Sequence, residues 1–406
     1  MKDALEFRNK AMNPESLLPA HGIISNAVIA TFEENKIPLG FGLIKDGALV
    51  IEEGRIGWVG ARANLPYGFS NLPEWSADGR LITPGLIECH SNILFGGDGL
   101  QGNFHDLVAA TNACDVGGLL KGLKRRAGWF TRQGVTTIEI KTGYGVTPDE
   151  QMRLLEVIRD FSKETNLRVK RTLLAGSFYP EMITPEAFVE AFVVDLVGRA
   201  HGAGLVDFVD VYCDDEGGIS LDDASTLLEA AYKKKIPTRL QTDRHSDSAG
   251  GVLASSFYAK AAAYLNYTDE TGLETLSKVG TVAVLVPGAC LEDQETRVPA
   301  VKHMRELGIG MAVSTGFQPG GSSLASPLVA AHLACRLFGL TPLEALHGLT
   351  TKAARALQAV EGAGTLMVGA PADLAIWEAE HPEELVYWYG APLCHKSLVA
   401  GAEVVL

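Results

Sequence analysis

The chain has no continuous apolar run near the roughly 18–20 residues that cross a bilayer, which excludes a helical membrane span. Met1 to Lys10 are polar and mixed in charge, so no signal peptide is expected. Cysteines are few: Cys89, Cys114, Cys213, Cys290, Cys335 and Cys394. No two have zinc-ribbon or CxxC spacing, so reduced thiols in a cytoplasmic protein are the expectation. Basic residues are also short, 35 against 49 acidic ones, for a net charge of -14. Phosphate-rich partners would be repelled, which argues against nucleic acid and anionic membranes. No repeat or low-complexity linker is visible. What is present is 406 residues, 47% of them apolar and 21% charged, enough for a large buried core and typical of an enzyme-like globular protein.

The patterning divides the chain. Gly47 to Gly60 reads as a hairpin, two β-prone runs around a turn at Glu53-Gly54. Gly364 to Trp377 and Ser397 to Leu406 give a similar β signal at the other end. Between them short apolar runs alternate with helical segments. The runs are Leu81–Leu86, Val135–Ile140, Arg171–Leu174, Phe208–Val211, Thr238–Leu240, Thr281–Val286 and Gly310–Val313; the helical segments include Pro148–Thr165 and Asp222–Lys235. Such alternation predicts a parallel sheet closed into an α/β barrel, with an open doubly wound sheet as runner-up.

Several blocks carry a family resemblance. Leu81-Ile-Thr-Pro-Gly-Leu-Ile-Glu-Cys-His-Ser-Asn92 resembles the PGLxDxHxH first barrel strand of amidohydrolases. Gly364-Thr-Leu-Met-Val-Gly-Ala-Pro-Ala-Asp-Leu-Ala-Ile-Trp377 resembles their return into a small β-sandwich. Thr142-Gly-Tyr-Gly145, Asp210-Val-Tyr-Cys213, Val282 to Ala289, Gln318-Pro-Gly320 and Leu340 to Leu346 match the imidazolonepropionase branch in order and spacing. The resemblance implies a (β/α)8 TIM-like barrel of the metal-dependent hydrolase type, residues 84–360, plus a composite β-sandwich from residues 1–83 and 361–406. It also implies a usual chemistry, attack of metal-bound hydroxide on a cyclic amide carbon.

At the family's metal-ligand positions this chain reads differently. His90 is kept, but Asn92 stands for the second histidine of HxH. Gln241 stands for the histidine of LHADE, and Tyr264 for that of ADHLEYT. Gly316 replaces the aspartate of ATDxNPG, and Ser177 the substrate-facing histidine after strand 3. The loop Gly97 to His105 lacks the arginine that grips a substrate carboxylate. One ligand of four is not expected to hold a zinc or iron ion, so no metal and no other cofactor is expected. The alternative is one zinc or iron ion at a displaced site built on His90, Asp243 and His245.

The candidate catalytic residues are thus His90, Asp243, Tyr144, Tyr264 and His245, and the candidate substrate-binding residues Asn92, Ser177, Gln241, Arg244 and Gln318. His90 suits a general acid or base, or else a relic imidazole satisfied by neighbours. Asp243 and His245 suit a carboxylate–imidazole pair or a solvated loop. Tyr144, between glycines, suits substrate contact, and Tyr264 a proton donor; each could equally be packing. Asp214-Asp215-Glu216 reads as solvated surface and Cys213 as structural. Three readings compete. One is an acid/base enzyme performing cyclisation, isomerisation, elimination or addition on a small polar or heterocyclic substrate, independent of metal. The others are a cyclic-amide hydrolase with a displaced metal, and an inactive binding protein. A small-molecule substrate is expected, and a homodimer is compatible with the sequence.

Overall fold

The computed structural model describes residues 21–34, 40–100, 104–176, 179 and 183–406. The first twenty residues of the expected sandwich segment, the centre of the loop Gly97 to His105, and Ser177 lie outside them. The chain opens with β1 (Gly22–Ala30), β2 (Leu43–Glu52), β3 (Arg55–Ala61), β4 (Glu74–Ser76) and β5 (Leu81–Pro84). The hairpin expected at Glu53-Gly54 joins β2 to β3, pairing Glu52 with Arg55. Both turn residues have positive φ, 49° and 71°, the geometry that matches strand twist in a two-residue hairpin.

The chain then supplies eight parallel strands: β6 (Leu86–Glu88), β7 (Val135–Lys141), β8 (Arg168–Gly176), β9 (Phe208–Cys213), β10 (Thr238–Thr242), β11 (Ala261–Tyr264), β12 (Val282–Leu285) and β13 (Met311–Val313). They lie side by side in sequence order, with at least one helix between each strand and the next. The chain returns to the first sheet with β14 (Leu374–Trp377), β15 (Cys394–Val399) and β16 (Ala402–Glu403), where β14 pairs with β5. The architecture is an α/β barrel of the TIM type with a separate mixed sheet built from both chain ends. Ile24, Ile29, Leu49, Ile51, Ile82, Leu374 and Ile376 form the core of that second sheet. Each such side chain contributes about 1.5–3 kcal/mol when fully buried.

Two strand expectations need correction. The run Leu81–Leu86 is not one barrel strand. Its first part pairs with β14 and β1 in the mixed sheet, and only from Leu86 does it join β7. The crossing is at Gly85, where a Cβ would lie 2.1 Å from Thr136 Oγ1, so only glycine leaves room for the Thr136 side chain of the neighbouring strand. The other correction is β11, which is absent from the apolar-run reading. Its three alanines, Ala261 to Ala263, carry little strand propensity, and pairing on both edges forms it nonetheless.

The helices follow their signals. Thr147 and Glu150 form a reciprocal capping box with Pro148 in the first turn, and Leu154, Leu155, Ile158 and Phe161 give Pro148–Glu164 its buried face. First and last barrel strands meet at their ends. The Glu88 carboxylate accepts the Ser314 hydroxyl and, at 3.1 Å, the Thr315 backbone amide, while the Asn92 backbone N–H donates to the Phe317 carbonyl at 2.8 Å. This seam fixes where β6 delivers His90 and Asn92.

Candidate active site

Alternation along a strand sends residues i and i+2 to the same side, so each strand contributes stacked side chains to the barrel interior. The lower layer is charged. Glu139 and Lys141 come from β7, Asp210 from β9 and Arg239 from β10, and all are buried. Lys141 Nζ donates to Glu139 at 2.7 Å and also to Asp210. Arg239 lies 3.5 Å from Glu139 and donates to the Cys89 carbonyl at 2.7 Å. Thr172 donates to Glu139 at 2.7 Å. Two cations face two carboxylates, so the layer is close to neutral. The two cations outweigh burial and hold the Glu139 carboxyl below its usual range.

The layer above it, at the C-terminal mouth, is polar and keeps several unpaired buried atoms. A small cavity of about 40 Å³ is lined by Asn92, Tyr144, Tyr212, Gln241, Arg244, Tyr264 and Gln318, with Phe104, Gly143 and Leu174. Gln241 is tied down, donating to Asp210 at 3.1 Å, and Asn92 donates its amide to Gln318 at 3.1 Å. The Asn92 Oδ1 and Tyr144 Oη atoms are buried without a protein partner. So are both ring nitrogens of His90, whose ring sits edge-on to Tyr264 at 5.7 Å. A native protein rarely leaves such atoms unpaired, and a cluster of them marks a place for a polar guest.

The electrostatics follow from burial. His90 is held well below the usual imidazole range, first by desolvation and then by the cations Lys141 and Arg239, so it is neutral at physiological pH. Burial pushes the Tyr144 and Tyr264 phenols up, and the Arg244 cation opposes that at Tyr264. The Arg244 guanidinium lies 5.0 Å from the Tyr264 ring centroid. Tyr264 itself has φ 75°, an unusual backbone for a bulky residue and of a kind that clusters at functional sites. Glu88, in the seam, is raised to about 7 because desolvation outweighs its hydrogen bonds to Ser314, Thr315 and His90.

Six of the residues singled out in the sequence therefore meet at one cavity: Asn92, Tyr144, Gln241, Arg244, Tyr264 and Gln318. His90 is buried against Tyr264. Asp243 and His245 do not line the cavity. The Asp243 carboxylate accepts from Thr242 and Thr268 hydroxyls and from the Ser248 and Gly250 amides, so it holds the loop after β10 in place. His245 sits in that loop, its amide bound to Asp214 at 3.0 Å. Asp214, read as solvated surface, is in fact buried and also accepts from Arg244 N and Ser246. Tyr212 and the Glu139–Lys141–Asp210–Arg239 layer were missed, although Asp210 and Tyr212 share a face by the period of two. Among the described residues no group of three His, Cys, Asp or Glu could hold a metal ion.

No family model matches the chain. Curated relatives do. An imidazolonepropionase of Maricaulis maris is 38% identical over 383 residues, covering 89% of this chain and 94% of that protein. One of Roseobacter denitrificans is 34% identical over 402 residues, covering 94% of this chain and all of that protein (100%). In three dimensions the chain is similar to guanine deaminase from C. acetobutylicum, TM-score 0.72 at 15% identity over 95% of this chain and 100% of the other. It is equally similar to 5-methylcytosine deaminase from Klebsiella pneumoniae, TM-score 0.71 at 17% identity over 95% and 97%. These are metal-dependent amidohydrolases, which overturns the expectation that the chain takes no cofactor. With more than a third of its residues shared along almost its whole length, the chain belongs to the imidazolonepropionase family of amidohydrolase-fold enzymes.

Proposed function

We propose that the barrel mouth is an active site at which side chains carry out acid/base chemistry on a small polar or heterocyclic substrate. The class of reaction is cyclisation, isomerisation, elimination or addition. The observation that carries this reading is the pair of unpaired buried polar atoms, Asn92 Oδ1 and Tyr144 Oη, on one cavity, with His90 buried beside its Tyr264 wall. Tyr264 donates a proton, and the neighbouring Arg244 cation steadies the resulting phenolate. Neutral His90 is the acceptor beneath it. Asn92, Gln318 and Tyr144 orient the guest by hydrogen bonds, and Phe104 and Tyr212 give it flat apolar walls.

The family implies a catalytic metal ion, which would act as a Lewis acid and activate a water. The side chains at the mouth do not fit it. One imidazole, two neutral amides and a phenol are a poor donor set for zinc or iron. At Gly316 there is no space for a carboxylate. Its φ is 61°, and a Cβ there would lie 2.1 Å from Val286 Cγ1. The proton-transfer roles above are therefore assigned to side chains alone.

A second reading, hydrolysis of a cyclic amide C–N bond, is favoured by family membership. One experiment separates the two. The purified chain is incubated in D2O with a panel of small azoles and cyclic amides, including imidazolone propionate, and followed by NMR. The acid/base reading expects deuterium uptake or rearrangement of a panel member, lost in Tyr264→Phe. Ring opening of imidazolone propionate is expected to be at least about a hundredfold below ordinary enzyme rates, since no general base fits at Gly316. Ring opening at full rates would establish the hydrolase reading instead. A reduced, cytoplasmic setting suits the six free cysteines, and among the described residues no helix could cross a membrane.

A further inference from the structure

A second cavity, far larger than the mouth, opens where the barrel meets the mixed sheet. It has about 630 Å³, against about 40 Å³ at the mouth, and the two share no lining residue. Its walls are the end of the helix Val116–Thr131, the start of the helix Pro327–Leu337 and residues 390–393, which lead into β15. The volume falls within the roughly 300–1,000 Å³ of small-molecule pockets. The walls are held by bonds of their own. Gln133 Nε2 donates to the Trp129 and Ala325 carbonyls, each at 2.9 Å, and so ties two walls together. Ser397 Oγ donates to the Thr131 carbonyl at 2.8 Å and ties in β15. Trp377 lies fully buried at the base, its N–H already bound to Thr83 at 2.9 Å. A guest need not order such a cavity, which favours binding.

The lining is chemically one-sided. Trp129, Leu328, Val329 and Leu393 make it largely apolar. No carboxylate lines it, although the chain has 49 acidic residues against 35 basic ones. Its one charged side chain is Arg132. Beside it, the Arg125 guanidinium lies 5.6 Å from the Trp129 ring centroid. Neither arginine has a carboxylate partner among the described residues. An apolar cleft with unpaired cations at its rim complements an apolar body that carries one anionic group, and the Trp129 ring suits a body with rings of its own. Two cations on a chain of net charge -14 do not suit a polyanion.

We propose that this cavity is a second binding site, separate from the mouth, for a small amphipathic anion. Its ring-bearing body packs against Trp129, Leu328 and Leu393, and its anionic group pairs with Arg132. The inference does not depend on the reading of the mouth as the active site. Its test uses two fluorescent probes with the same rings, 8-anilinonaphthalene-1-sulfonate and N-phenyl-1-naphthylamine, of which only the first is an anion. Each is titrated into the full-length protein. The wild type should bind both saturably and prefer the sulfonate by about fivefold, the scale of a partly exposed ion pair. Arg132→Gln should bring the two to within about twofold of each other. Val329→Glu, which sets a carboxylate in the lining, should weaken the sulfonate several-fold. At the third helical position behind Ser326 this glutamate completes a capping box, so the variant is expected to fold. Thermal melts check both variants. Loss of the preference in Arg132→Gln together with weaker sulfonate binding in Val329→Glu supports the site. No saturable binding of either probe, equal affinity of the wild type for both, a preference that survives Arg132→Gln, or sulfonate binding untouched by Val329→Glu overturns it.

Discussion

The two layers of the barrel interior are built by the same strands, yet they treat polar atoms in opposite ways. In the lower layer Lys141, Glu139 and Arg239 satisfy one another, and only Asp210 Oδ1 and Arg239 Nε lack a hydrogen bond. One step toward the C-terminal ends, Asn92, His90 and Tyr144 keep buried atoms with no protein partner. An unpaired buried polar group costs about 1–3 kcal/mol. A fold tolerates that where a ligand completes the pairing and not where stability alone is at stake. The lower layer is thus read as scaffold and the upper as site.

That contrast can be broken first from below. Lys141→Met leaves Glu139 and Asp210 facing each other without their shared cation. The expected loss is about 3–5 kcal/mol in guanidinium chloride denaturation, the range for removing one partner of a buried ion pair. A loss under about 1 kcal/mol would mean the layer is not scaffold.

The seam gives the next effect. Glu88 has its folded value raised from 4.5 to about 7, so the native state holds its proton more tightly than the unfolded chain. Its contribution is complete below pH 4.5 and is lost as pH rises through about 7, a fall of about 3 kcal/mol. Glu88→Gln should flatten that dependence in melts recorded from pH 5 to 8. An unchanged slope in this variant would assign the dependence to another group.

How much of this could be read in advance depends on what fixed it. The Glu53-Gly54 turn and the capped helix after Thr147 are local, and short sequence signals carry them. The apolar-run pattern alone did not divide Leu81–Glu88 between two sheets, because both halves are mostly apolar and are buried on all sides. Strand β11 was hidden by alanines, which pair only because β10 and β12 flank them. In the site, resemblance found the positions but not the side-chain directions. Asp243 has φ 52°, which turns its carboxylate into its own loop, and no pattern of polar residues announces that. The Arg244–Asp293 pair joins residues 49 apart in sequence through the barrel's closure, beyond the reach of any local motif.

Asp243 belongs with the scaffold, and its effect is smaller. As a loop anchor with four hydrogen bonds, its change to Asn should cost about 1–3 kcal/mol in stability. Any effect on turnover should come only through misplacement of Arg244 by the loosened loop. Unchanged stability with abolished turnover would make Asp243 a catalytic group after all.

The smallest expected effect is the most direct test, because scaffold and site predict opposite signs. Tyr144→Phe removes only a buried hydroxyl that has no partner. Unfolding free energy and imidazole-4-carboxylate binding are measured side by side on this variant and the wild type. Stability is expected to be unchanged or raised by up to about 1 kcal/mol, with binding weakened several-fold. A loss of stability with binding intact would contradict it, because the Tyr144 hydroxyl would then belong to the scaffold and the mouth would not be the site.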